Sequence, residues 1–210
     1  MLRLDTIRAA PVAEAPFPYF LAERVLDDTA LAAIRADFPV VDHPGIFPLS
    51  ALSYGQAFAA LIEEIRGFAL EDMLSEKFDV DLSDKPLMIT VRGRCRASDG
   101  SIHTDSKSKL VTCLLYLNEP WDEAGGRLRL LRDPGDIEST IAEVPPNGGT
   151  LVAFRRTDRS WHGHKPFEGQ RRYVMFNWLS SQAALDREIG RHAFSARLKR
   201  LNPFSRHRSA

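Results

Sequence analysis

The sequence predicts an α+β protein, with helices first and an antiparallel β-sandwich after them. Apolar residues recur at helical spacing through the first third of the chain. From about residue 86, short apolar runs alternate with turn signals, the texture of a sandwich or barrel. The links between these runs are too short for crossover helices, which argues against a parallel βαβ sheet. With 210 residues, the chain is long enough to bury one sizeable core.

The elements follow in order. "FPYFLAERVL" (17–26) reads as a strand entering a helix. Asp27 or Asp28 can cap the helix in "DDTALAAIRADF", whose Leu31, Ile34 and Phe38 keep the helical period before Pro39 stops it. "PVVDHPGIFPLS" is punctuated by Pro and Gly and reads as loop. Residues 53–78 are expected to form one long helix, with Phe58, Leu61, Ile62, Ile65, Phe68 and Leu70 in register and Gly67 as its weak point. Seven strand-like runs come next: "PLMITVRG", "KLVTCLLYLN", "GGRLRLLRD", "IAEVPP", "GGTLVAF", "WHGHKPF" and "QRRYVMFNWL". After Ser181 a helical pattern returns. From Arg187 onward, seven Lys and Arg face one acidic residue, so this end is basic. It reads as a helix docked on the sheet with a solvated end, or as a basic surface for a partner. The expected division is one domain over 1–182, helical to 85 and β-rich over 86–182, with a basic helical extension over 183–210.

Bulk properties narrow the function classes. Formal net charge is zero, so no global field draws the chain to nucleic acid or membrane. No apolar run is long enough for a membrane span or a signal peptide. Two cysteines, Cys95 and Cys113, do not make a disulfide framework, and a cytoplasmic setting is the expectation.

The β region carries a cluster of chemical residues. In "IHTDS", His103 and Asp105 lie two apart and would share one face of an extended segment. A chain of this composition contains about half an H-x-D by chance, so the motif needs context. Two histidines and a carboxylate with open positions form the facial triad of non-haem Fe(II) oxygenases. "SWHGH" offers His162 or His164 as the distant histidine, and strand parity does not separate them. "QRRY" offers an arginine, whose planar fork suits a carboxylate. Arg171 and Arg172 are neighbours and face opposite ways. Arg172 shares parity with the apolar Val174, Phe176 and Trp178, a set suited to the barrel interior, so periodicity favours Arg172.

Together, "IHTDSKSKLVTCLLYLNEPWDEAGGRLRLL", "PPNGGTLVAF" and "SWHGHKPFEGQRRYVMFNW" resemble the Fe(II)- and 2-oxoglutarate-dependent dioxygenases of the prolyl 4-hydroxylase-like branch. The resemblance covers roughly 86–180. It implies a double-stranded β-helix (jelly-roll) core with N-terminal helices packed on it and a C-terminal helix. It also implies Fe(II) held by His103, Asp105 and His162, with His164 left as a pocket residue. Arg172 is expected to pair with the distal carboxylate of 2-oxoglutarate, with Tyr116, Thr112, Leu114 and Trp178 around it. The implied reaction consumes 2-oxoglutarate and O2, yields succinate and CO2, and hydroxylates a C–H bond of a small-molecule or protein substrate. The sequence departs from the pattern in "TVRGRCRASDG", where relatives often place an aromatic residue. Arg92, Arg94 and Arg96 would share one face there, which reads as a solvated basic edge or as a surface from which Arg94 or Arg96 reaches an anionic substrate. Two other functions fit parts of the pattern: a cupin-like metal enzyme without 2-oxoglutarate, and a non-catalytic jelly-roll binding module. Substrate identity and oligomeric state do not follow from the sequence.

Overall fold

The computed structural model describes residues 1–201, with side chains described through Arg191. A short helix α1 (Leu4–Ala9) precedes strand β1 (Tyr19–Ala22). Helix α2 (Asp28–Ala36) begins where the Asp27 carboxylate accepts the Ala30 amide at 2.8 Å, satisfying one of the free donors of the first turn. No helix joins β1 to α2, so the expectation of a strand running into a helix over 17–26 holds only for its strand.

The long helix expected over 53–78 is two: α3 (Gln56–Ile65) and α4 (Phe68–Phe78). Gly67 breaks it by adopting an extended backbone with ψ of 142°, which interrupts the ladder and makes it the N-cap of α4. The break turns Phe68 outward, where it is 72% exposed. Leu70, Met73, Leu74 and Phe78 are the residues that α4 buries.

Strand β2 (Phe47–Pro48) is a short edge inside the expected loop. Each of the seven strand-like runs then contributes one strand: β3 (Leu87–Cys95), β4 (Lys109–Tyr116), β5 (Leu128–Leu131), β6 (Thr140–Val144), β7 (Leu151–Arg155), β8 (His162–Gly163) and β9 (Gly169–Leu179). Helix α5 (Gln182–Leu201) closes the described chain. A major sheet runs in the order β1-β7-β4-β9-β3-β2 and a minor sheet β6-β5-β8, with every strand pair antiparallel. This is the two-layered double-stranded β-helix.

Both faces of the major sheet are buried, and this decides the site. The outer face, with Val91, Val111, Cys113, Val174, Phe176 and Trp178, packs on Ile34, Phe58, Leu61, Ile65 and Met73 of the helices. Each fully buried side chain of this kind contributes about 1.5–3 kcal/mol. The inner face, with Leu114, Tyr116, Tyr173 and Met175, meets Leu128, Leu130 and Val144 of the minor sheet. At one end of this inner face, Leu179 and Met88 pack against Ala184 of α5, with Leu185 and Ile189 alongside. The expected apolar helix face thus docks through Leu185 and Ile189. The side chains of Ala193, Ala196 and Leu198, and most of the proposed basic partner surface, lie outside the described residues.

Two irregularities re-aim side chains at the inner face. On β4 and β9, Lys109 lies opposite Leu179 while Val111 lies opposite Trp178, so Leu110 is an extra residue. The bulge gives Lys109 the inward position that unbroken alternation would assign to Leu110. On β3 and β9, Arg92 lies opposite Tyr173 but Arg94 opposite Gln170. Unbroken pairing would have set Arg94 opposite Arg171.

Candidate active site

A cavity of about 460 Å³ opens between the two sheets, within the usual range for small-molecule sites. The bridge between His103 and His162 forms part of its wall. Their backbones exchange both hydrogen bonds, each 3.0 Å, and their rings lie 4.4 Å apart. Asp105 follows two residues after His103. Candidate ligand atoms of His103, Asp105 and His162 all lie within 4.8 Å of one another. His164 is not in this cluster.

The donor set fits a divalent metal ion. The His103 Nδ1 faces the Ser101 carbonyl at 2.8 Å, and the His162 Nδ1 faces the Ser160 carbonyl at 2.9 Å. A carbonyl only accepts, so each Nδ1 carries its proton and each Nε2 keeps a lone pair for a metal. Burial pushes the His162 pKa down to about 4, so this imidazole is neutral at physiological pH. Burial alone would raise the Asp105 pKa. The Lys109 ammonium, the neighbouring His162 and hydrogen bonds from Lys109 and Thr112 outweigh it and hold the carboxyl well below its usual range. Lys109 Nζ reaches Asp105 Oδ1 at 2.8 Å, and Thr112 Oγ1 donates to Oδ2 at 2.6 Å. Asn177 in turn donates to Thr112 Oγ1 at 2.8 Å, so the strand floor fixes the carboxylate.

Arg171 occupies the inner face of β9 and lines the cavity, 2% exposed. Its Nε donates to the Gly126 carbonyl at 2.7 Å and its Nη2 to the Tyr116 hydroxyl at 3.1 Å. The rings of Tyr116 and Tyr173 flank the guanidinium at 5.3 and 5.1 Å. No carboxylate pairs with Arg171 among the described residues, which leaves a buried charge aimed at the cavity without a counter-ion. Burial pushes the Tyr116 pKa up to about 12, so the hydroxyl keeps its own proton for a further acceptor.

The remaining expected residues divide. Thr112, Leu114 and His164 line the cavity. His164 Nδ1 faces the Lys165 carbonyl at 2.8 Å, and burial beside Arg171 lowers its pKa to about 4. Its ring packs against Gly100, whose φ of 98° suits glycine and where a Cβ would stand 2.5 Å from His164 Nδ1. Tyr116 stands behind Arg171 rather than in the cavity wall.

Four expected positions are corrected. Arg172 points away from the cavity: its guanidinium lies 5.2 Å over the Phe38 ring. Trp178 shares that outer face and sends its indole N–H to Glu71 at 3.3 Å. The parity grouping was sound, but the apolar set faces the helices and the mixed set faces the cavity. Arg94 and Arg96 are exposed and line no part of the cavity, because the irregularity after Arg92 removes the shared face. Arg92 reaches the cavity instead. Its partner is Asp99, and it lies 6.0 Å from the Tyr173 ring.

Sequence reasoning missed Lys109 and Arg191, which also line the cavity. Lys109 carried no signal, since only the bulge turns it inward. Arg191 reaches the cavity from α5, held by Glu188, which accepts the Ser106 hydroxyl at 3.0 Å.

Comparisons with known proteins bear on the family and the fold. Residues 94–180 match the family model described as the 2OG-Fe(II) oxygenase superfamily. No curated protein matches the sequence. Among solved structures, a Pseudomonas putida prolyl-4-hydroxylase superposes with a TM-score of 0.55 at 17% identity, covering 85% of this chain and 97% of that one. A viral collagen prolyl hydroxylase from Paramecium bursaria Chlorella virus-1, solved with 2-oxoglutarate, gives 0.51 at 15% identity, covering 76% and 93%. A prolyl hydroxylase from Trichoplax adhaerens, bound to a hypoxia-inducible factor peptide, gives 0.51 at 16%, covering 78% and 87%. No helix among the described residues is long and apolar enough to cross a membrane. Over residues 94–180 the chain is thus similar to the 2OG-Fe(II) oxygenase superfamily, and its fold is that of the prolyl hydroxylases.

Proposed function

We propose that the chain hydroxylates a C–H bond of a substrate bound in the inter-sheet cavity, releasing succinate and CO2. The observation that carries this reading is Arg171, a fully buried guanidinium that lines the same cavity as the His103, Asp105 and His162 cluster and lacks a carboxylate partner among the described residues. Its fork matches the distal carboxylate of 2-oxoglutarate. A metal enzyme that does not use 2-oxoglutarate would need another bound anion to match that charge.

His103, Asp105 and His162 would hold Fe(II). The bound iron and 2-oxoglutarate supply the oxidant, since oxidative decarboxylation of the keto acid by O2 provides the oxygen atom inserted into the substrate. Arg171 binds and orients the cosubstrate, and the Tyr116 hydroxyl fixes Arg171 from behind. Thr112 and Lys109 keep Asp105 ionised and oriented. Leu114, Leu128 and Met175 supply apolar wall and limit water in the cavity.

Anaerobic addition of Fe(II) and 2-oxoglutarate tests the reading. The expected result is a visible metal-to-ligand absorption band in the native protein, lost in His103→Ala and Asp105→Ala. A native protein that gives no band, or variants that keep it, would overturn the assignment.

A further inference from the structure

The cavity wall is rich in cations. Four cations line it, Arg92, Lys109, Arg171 and Arg191, and Asp105 is the single carboxylate among the lining residues. Two of the cations bring private counter-ions from outside the wall. Arg92 pairs with Asp99, and Arg191 pairs with Glu188, whose carboxylate is buried. Arg171 is unpaired and suits the distal carboxylate of 2-oxoglutarate.

Lys109 differs from the other three. It is 6% exposed, and its one carboxylate partner among the described residues is Asp105, an expected iron ligand. Once Asp105 also serves a divalent ion, its single negative charge is shared between two cations. Fe(II) and the 2-oxoglutarate dianion cancel each other, and Asp99, Glu188 and Asp105 cancel three of the four wall cations. One positive charge then remains in a low-dielectric cavity, where an unmatched charge is costly.

We propose that the primary substrate is a carboxylate, and that Lys109 and Arg191 receive its anionic group beside the iron centre. This rests on the hydroxylase reading above and deepens it by naming the substrate class. A monoanion matches the one spare charge, whereas a phosphate dianion would overshoot it. The two cations come from different elements joined by one network. Ser106, in the H-x-D segment, hydrogen-bonds Glu188 at 3.0 Å, and Glu188 holds Arg191 over the cavity. Helix α5 therefore supplies part of the mouth. Arg191 is the accessible member of the pair, 65% exposed, and suits first contact with an incoming anion. Lys109 is the buried member and suits final placement.

The test uses the native protein loaded anaerobically with Fe(II) and 2-oxoglutarate, followed by its visible band. The probes are the free L-amino acids, their primary amides, and proline-containing peptides with both ends blocked. Binding is read as a shift of the band, and turnover as succinate released after O2 is admitted. The expected result is that at least one free acid binds and turns over, and that its amide binds about tenfold more weakly or worse. Arg191→Gln and Lys109→Met are each expected to weaken the acid by about tenfold and to narrow the gap between acid and amide. Should Lys109→Met fail to fold, Arg191→Gln on the exposed mouth carries the same comparison. Equal binding of acid and amide, no binding by any free acid, or preference for the blocked peptides would overturn the inference. Absence of the band in the native protein would instead overturn the hydroxylase reading itself, so the two failures are distinct.

Discussion

Replacing Arg171 separates the two neighbouring arginines most sharply. Arg171→Ala removes a guanidinium that is 2% exposed and holds only a carbonyl and a phenol in the protein. Its fork is free to make charge-assisted bonds to a bound carboxylate, and truncating one partner of such a buried pair costs about 2–5 kcal/mol. Taking about 3 kcal/mol, the dissociation constant of 2-oxoglutarate should rise about 150-fold. Arg171→Lys keeps the charge but loses the fork and the aromatic stacking, so a rise of about tenfold is expected. Arg172→Ala removes a cation over Phe38 on the opposite face, worth about 0.5–1 kcal/mol of stability. It should change 2-oxoglutarate binding by less than about threefold, because nothing in the cavity touches it. The assay is an anaerobic titration of 2-oxoglutarate into the Fe(II)-loaded protein, with thermal melts confirming that each variant is folded. Equal effects of Arg171→Ala and Arg172→Ala, or a larger effect of the latter, would refute the facing assigned to β9.

Other perturbations read other parts of the centre. Thr112→Val keeps the shape but removes the hydroxyl that donates to Asp105, and Fe(II) affinity should fall about 10–100-fold in a competitive chelator titration. The metal-free protein should lose stability as pH falls from about 6.5 toward about 4. His162 and His164 are held near 4 in the folded state, below the value of about 6.5 expected when unfolded, so the unfolded chain binds more protons in that window. Denaturant melts at pH 7.5 and pH 5.0 measure this, and His164→Gln should reduce the difference. Gly100→Ala should cost about 1–3 kcal/mol through its positive φ alone, with further loss where the new methyl meets His164, read as a lowered melting temperature.

The order of elements and the identity of the chemistry were legible in the linear pattern. Alternation over 86–179 marked seven strands, and H-x-D followed by "SWHGH" marked the residues now found within one cluster. These features are local: a strand's period and a two-residue spacing survive whatever the chain packs against. The break at Gly67 was visible as a weak point, but its consequence was not. Glycine permits a helix to end without requiring it, and the burial of Leu70, Met73 and Phe78 under a new axis decided the matter.

What the tertiary structure alone decided was facing. Period two groups Arg172 with Val174, Phe176 and Trp178, yet it does not say which group meets helices and which meets the cavity when both faces of a sheet are buried. Here the most apolar group went to the helices, because that interface is dry and continuous, and the mixed group with Arg171 and Tyr173 went to the cavity. Parity also presumes an unbroken ladder. One extra residue at Leu110 brought Lys109 inward, and one irregularity after Arg92 carried Arg94 out. The sequence by itself determined that two histidines, a carboxylate and an arginine would meet on a jelly-roll core. Long-range pairing, set by packing on both faces of β9, determined which arginine, and which further cations stand around the iron centre.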